Sequence, residues 1–130
     1  MSLTNSTLLA PFLLVAALQF KHVLCDGPLQ TLAMVRDKSH YLRPLGLAHA
    51  AIHAAASFLI LLLFGIDLGT ALVAIAVEFY VHYHIDYVKE NAIRFFGWKT
   101  SDGPFWWSLS LDQALHHFTY LVMGFVLIRL

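Results

Sequence analysis

Four stretches of mostly apolar residues set the frame of this chain. A bilayer core of about 30 Å requires roughly 20 such residues in a helix, and windows of that length lie at about 8–25, 45–64, 70–87 and 109–130. The first holds Pro11, expected in its opening turn, and meets Gly27-Pro28, which interrupts or kinks it. A short polar helix then runs through Arg36. Pro44 introduces the second span, and the turn Gly65-Ile66-Asp67-Leu68-Gly69 links it to the third. Between the third and fourth spans, Asn91 to Ser108 mixes Arg94 and Lys99 with Phe95, Phe96, Trp98, Trp106 and Trp107, the composition of a segment at headgroup level. The pattern predicts an all-α, integral-membrane four-helix bundle, antiparallel, with a short interfacial segment between helices 3 and 4, and one transmembrane domain over 1–130.

Composition agrees with that frame: 59% of residues are hydrophobic and 12% charged, far from the balance of soluble domains. Formal net charge is zero and no basic run offers a footprint for nucleic acid, so a nucleic-acid partner is set aside. Cys25 is the single cysteine, which excludes an internal disulfide and a thiolate metal site. Residues 1–7 lack the positive region of a secretory signal, so the first span is read as a retained helix.

Alternating spans place the loops after the first and third on one side. Lys21, Arg36, Lys38, Arg43, Lys89, Arg94 and Lys99 fall there, leaving Arg129 for the other. The positive-inside rule makes the charged face cytoplasmic and turns both termini outward.

The candidate chemistry gathers at that same face. His22 and Asp26 close the first span, with Gln30 one turn on; His49 and His53 open the second. Glu78, His82 and Asp86 share one stripe of the third, and Asp112, Gln113 and His116 open the fourth. Residues four apart lie on one helix face and can serve one metal. In helical bundles, His and carboxylates from facing helices build dinuclear sites. The expected metal ligands are His22, Asp26, His49, His53, His82, Asp86, Asp112 and His116. Either they hold two ions, or some orient the others. Imidazole with carboxylate suits a divalent ion, with zinc the first expectation and iron or manganese also compatible. Haem is disfavoured because the carboxylates have no role as its ligands.

Single residues carry less. A lone His or Asp in a membrane helix is as often a satisfied polar group as a ligand. His84 and His117 fall beside better-phased neighbours and read as orienting or loop-facing, and His40 as interfacial. Trp106 and Trp107 read as interface anchors. Glu78 lies about 12 Å from Asp86 along the helix and is the deepest of the set.

The order His22-Val-Leu-Cys-Asp26-Gly-Pro-Leu-Gln30, His49 and His53, His82-x-x-x-Asp86-Tyr87-x-Lys89, and Asp112-Gln113-x-x-His116 resembles a family of small bacterial and phage membrane proteins, domain of unknown function 3307, over most of the chain. That family name implies no activity. In the style of its polar residues the chain is similar, more loosely, to membrane-bound metal-dependent hydrolases of bacterial inner membranes. This similarity implies hydrolysis of a lipid-linked or membrane-associated ester or phosphate.

The leading expectation is therefore a metal-dependent hydrolase in the bacterial cytoplasmic membrane. Asp86 or Glu78 would act as general base if not a ligand, and Gln30 and Lys89 would steady the substrate. Membrane lipid is the expected partner. The alternative is a non-catalytic subunit or assembly factor of a larger membrane complex, its polar cluster structural. A through-membrane conduit is disfavoured, because almost no polar residues continue towards the outer face beyond Glu78 and Gln19.

Overall fold

The computed structural model describes residues 3–127, which form α1 (Leu3–Asp26), α2 (Leu32–Asp37), α3 (Pro44–Leu63), α4 (Leu68–Phe96) and α5 (Gly103–Leu127). The fold is all-α. Arg129 and the end of the expected fourth span at Leu130 lie outside the described residues.

The helix limits follow from local chemistry. Thr31 starts α2 by accepting the Met34 amide at 3.2 Å. Arg43 is extended and Pro44 follows as the first residue of α3, a position where its missing N–H costs nothing. At the far end of α3, Gly65 adopts φ 78. The Gly65 and Ile66 amides then return to Leu62 and Leu61 carbonyls, both at 3.0 Å, satisfying carbonyls that the last turn leaves open. Asp67 caps α4 by accepting the Thr70 amide at 3.0 Å.

Two expectations change here. α4 does not stop near Tyr87 but runs on to Phe96, because no breaker intervenes before Gly97, which takes the left-handed conformation at φ 67. Most of the expected interfacial segment is therefore helix, with only 97–102 between α4 and α5. Pro11 lies inside α1 and not in its first turn, since that helix begins at Leu3.

α1 packs on α3 and α5, α4 packs on the same two, and α2 lies against α3. Each long helix turns one stripe inward. On α3 it is Gly46, His49, Ala50, His53, Ala54, Ser57 and Leu61, recurring every three to four residues. The small residues let backbones approach. At one end the stripes make an apolar core of Leu14, Leu18, Leu61, Ala71, Tyr120, Met123 and Leu127. At the other the buried residues are polar.

The outer surface reverses the usual soluble arrangement. Phe12, Leu63, Phe95 and Phe125 are exposed while Lys21, His22, His49, His53, Glu78, His82 and His116 are buried. Among the described residues, three helices are long and apolar enough to cross a membrane: Leu9–Asp26, Pro44–Leu63 and Leu68–Phe96. α5 is not among them, because Ser108, Ser110, Asp112, Gln113, His116, His117 and Thr119 crowd its first two thirds.

Gly124 marks the close contact of α5 with α1: a Cβ there would meet Val15 Cγ2. Gly124→Ala is expected to destabilise the protein by about 1–3 kcal/mol through overpacking. Adding Val15→Ala should recover most of that loss, read as thermal midpoints in detergent.

Asp67 provides a pH test. Its hydrogen bonds with the Thr70 side chain and then the Thr70 backbone hold its carboxyl below the ordinary value of 3.8. The folded carboxyl thus ionises more readily than the unfolded one. Its stabilisation is present above about pH 4 and is lost as pH falls through the lower folded value. The midpoint of the parent should exceed that of Asp67→Asn at neutral pH, with the gap closing in acid.

Candidate metal centre

The end of α1, the first half of α3 and the middles of α4 and α5 meet at one level. Helical spacing of four then points both members of each pair to that level: His22 and Asp26, His49 and His53, His82 and Asp86, Asp112 and His116. All are buried except Asp26, whose side chain is 22% exposed.

Two carboxylates organise the imidazoles. Asp26 Oδ1 lies 3.1 Å from His53 Nε2 and 3.2 Å from His49 Nε2, and its Oδ2 lies 3.1 Å from His22 Nε2. Asp86 Oδ2 lies 3.3 Å from His82 Nε2 and 3.5 Å from His49 Nε2, and its Oδ1 lies 3.6 Å from His116 Nε2. His49 thus stands between the two carboxylates. Potential ligand atoms of Asp26, His49, His53 and His82 all lie within 4.8 Å of one another, as do those of His82, Asp86 and His116.

The donor set fits a metal ion on two grounds. Both ring nitrogens of His49 and of His82, with His116 Nε2 and Asp112 Oδ1, are buried without a hydrogen-bond partner. Such atoms are costly to bury unless something else satisfies them. The contacts of the His49, His82 and His116 nitrogens with carboxylates are close without being aligned as hydrogen bonds. Two ligands at about 2.0–2.1 Å from one ion stand about 2.9 Å apart at a right angle and about 3.4 Å apart at the tetrahedral angle. The carboxylate–imidazole spacings of 3.1–3.6 Å match that range or slightly exceed it, while each whole group extends to 4.8 Å and would draw in around an ion.

Other expected residues have different surroundings. Gln113 Nε2 donates to Asp26 Oδ2 at 3.2 Å and Asp112 Oδ2 at 3.1 Å, leaving its Oε1 to accept from His22 Nε2 at 3.1 Å. His22 Nε2 therefore carries a proton, and Nδ1 lies 3.0 Å from the Tyr120 hydroxyl. In this arrangement His22 orients Asp26. Asp112 Oδ1 lies 3.5 Å from His116 Nε2, beside the two converging groups. Gln30 donates to the Asp26 carbonyl at 2.9 Å and accepts from Lys38. Lys89 pairs with Glu90 at 2.8 Å and lies 3.9 Å from Asp112. Glu78 Oε1 is bound by Lys21, while its Oε2 has no hydrogen-bond partner. His84 bonds the Tyr80 carbonyl and lies 3.3 Å from the Tyr41 hydroxyl, and His40 contacts Ser39 and Arg94. Neither reaches the cluster.

Two lysines expected at the charged face are instead in the interior. Lys21 is 5% exposed and Lys38 is 4% exposed. Lys21 Nζ binds Glu78 Oε1 and the His53 carbonyl, the latter at 3.0 Å, and lies 4.8 Å from the centre of the Tyr120 ring. Lys38 Nζ lies 2.9 Å from Asp86 Oδ2. Lys21 carried a usable signal, since it stands inside an apolar run next to His22, where an ionisable residue already points to a polar partner. Lys38 carried none: Asp37-Lys38-Ser39-His40 reads as an exposed link. Tyr120, eight residues after Asp112 on the same stripe, read as an ordinary apolar position.

The family described as protein of unknown function (DUF3307) matches residues 13–129, and the chain belongs to it. No curated protein and no solved structure matches the chain.

The Lys21–Glu78 pair makes a direct test of what holds this level together. Glu78→Gln leaves a buried ammonium without its counter-charge and should cost about 3–5 kcal/mol, whereas the double variant Lys21→Met, Glu78→Leu should recover most of it. Denaturation midpoints of the three proteins decide this.

Proposed function

We propose that this DUF3307 family member is an integral-membrane, metal-dependent hydrolase acting on a lipid-linked or membrane-associated ester or phosphate. The observation that carries the proposal is the convergence of His49, His53, His82 and His116 Nε2 on Asp26 and Asp86, with buried ring nitrogens left without hydrogen-bond partners. On this reading α1, α3, α4 and α5 form an antiparallel transmembrane bundle joined by short links. Arg36, Arg43, Arg94 and Lys99 then put the cluster on the cytoplasmic side of the bacterial inner membrane, with both termini outside.

One ion is held by Asp26, His49, His53 and His82, and a second by Asp86 and His116. His82 is within reach of either group and serves one. Zinc is the first candidate, with iron or manganese compatible with the same donors. When bound, such an ion lowers the pKa of its water towards about 7 and polarises a carbonyl or phosphoryl oxygen.

The chain's own residues supply the rest. His22 and Gln113 hold the Asp26 carboxylate in place. Asp112 stands against the His116 ring as an orienting carboxylate. Of the two bases expected from sequence, Asp86 lies among the ring nitrogens, whereas Glu78 is occupied by Lys21. We therefore assign a structural role to Glu78, while Asp86, paired with Lys38, serves as a ligand of the second ion and would accept a proton only where it does not bind that ion. Lys38 reaches Asp86 from the α2–α3 link and is held there by Gln30 of the α1–α2 link, and Lys89 offers a cation to an anionic substrate group.

A second reading has its own support. Lys21–Glu78, Lys38–Asp86 and the Gln113 bridge tie helices together without any ion, as a non-catalytic subunit or assembly factor would require.

Metal analysis of protein purified without a histidine tag separates the two. One or two equivalents of divalent metal are expected, with at least one lost in His53→Ala and in His116→Ala. Hydrolysis of a lipid-phosphate probe should stop on chelation and return with zinc. Metal-free protein from metal-replete cells would overturn the hydrolase proposal and leave the structural reading.

A further inference from the structure

The outer face of α4 and α5 carries a groove of about 750 Å³. Its walls are apolar side chains: Val81, Ile85 and Val88 from α4, Leu111 and Leu115 from α5. They are reachable from outside, with Val88, Leu111 and Leu115 among the exposed hydrophobic residues. Apolar surface alone is unremarkable on this protein. What distinguishes the groove is that Lys89 and Asp112 also line it.

Asp112 belongs to two places at once. One side of it forms the groove wall, and its Oδ1, buried and without a hydrogen-bond partner, lies 3.5 Å from His116 Nε2. Lys89 Nζ lies 3.9 Å from the other Asp112 oxygen. The groove thus meets the candidate metal centre through a single side chain, with a cation beside the junction.

Its length also has a meaning. From Lys89 back to Tyr80, the far lining residue on α4, nine residues of helix span about 13 Å. Half of a bilayer core is about 15 Å. In the other direction Trp98 and Trp107 line the groove, residue types that favour headgroup level. A hydrocarbon chain lying from Lys89 towards Tyr80 would run into the leaflet, and its head would sit at the level of the cluster.

We propose that this groove binds the hydrocarbon chain of a single-chain lipid and sets the lipid's phosphate head against Lys89 at the Asp112 edge of the metal centre. The inference rests on the hydrolase reading above and names its substrate class: an amphiphile with one chain in the groove and an anionic ester head. The volume is that of a site for one such ligand. Lys89, paired with Glu90 at 2.8 Å, exchanges that carboxylate for the phosphate, and the apolar walls remove the chain from competition with bulk lipid only if its head is so held.

The test uses the full chain in detergent micelles, with lysophosphatidic acid carrying a diazirine on its acyl chain as the probe. Photolabelling should concentrate on peptides covering 80–92 and 107–115. It should fall about tenfold in Leu115→Trp and in Val88→Trp, which fill the groove from opposite walls. Both variants are kept only if their thermal midpoints match the parent. Lys89→Met should lower labelling by this probe but not by a monoacylglycerol bearing the same chain, since only the phosphate needs the cation.

Labelling spread evenly over outward residues such as Phe12, Leu63 and Leu72, and unchanged in the tryptophan variants, would overturn the proposal in favour of ordinary annular lipid. Cross-links between two copies through this face would overturn it in favour of a dimer contact. Metal content of the same samples separates the failures. Bound metal with even labelling removes the groove and spares the hydrolase reading, whereas groove labelling without metal keeps the lipid site and removes the hydrolase reading.

Discussion

A carboxylate withdrawn from water must find a cation or hydrogen-bond donors, and the polar interior of this protein is organised around four that do so. Glu78 is answered by Lys21, Asp86 by Lys38, Asp26 by imidazoles and Gln113, and Asp112 by Gln113 with Lys89 nearby. In nearly every case the partner comes from another helix or from the α2–α3 link. Satisfying the charge therefore also fixes how the helices sit: α1 against α4 through Lys21, α1 against α5 through Gln113, α1 against α3 through His53. The nitrogens of His49 and His82 are what this scheme leaves over, and they are the atoms a metal ion would take.

The α2–α3 link shows how a short segment delivers one of those charges. Leu42 adopts a left-handed backbone, φ 59, at a cost of about 1–2 kcal/mol for a residue with a side chain. The Tyr83 hydroxyl accepts the Leu42 amide at 2.6 Å, Asn91 donates to the Ser39 carbonyl at 3.1 Å, and Arg94 donates to Ser39 Oγ at 3.1 Å. Asp37 accepts the Leu45 amide at 3.2 Å at the start of α3. Held to α4 and α3 in this way, the link carries Lys38 inward to Asp86.

The apolar half of the molecule needs less precision. Leu14, Leu18, Leu61 and Met123 fill space at the end remote from the cluster, while Phe12, Leu63 and Phe125 face outward. A chain whose large apolar residues lie outside and whose histidines lie inside is arranged for an apolar solvent. Gly124 against Val15 supplies a place where close backbone approach, and not side-chain volume, sets the spacing of α1 and α5.

Much of this is local and hence legible along the chain. Apolar windows mark the long helices, Pro44 and Gly65 mark the ends of α3, and spacing of four puts His82 with Asp86 and His49 with His53 on single faces, because each depends only on helix geometry. The reach of α4 to Phe96 was obscured by aromatic and basic residues that resemble an interfacial segment, although nothing before Gly97 stops a helix. By itself, then, the sequence determined an all-α chain with most of its ligand-type residues at one level. Only the tertiary structure decided which of them converge, that His22 meets Gln113 and Tyr120 while Glu78 meets Lys21, and that Lys21 and Lys38 turn inward. Those outcomes depend on distances between different helices and on the direction of each side chain, and a linear pattern carries neither.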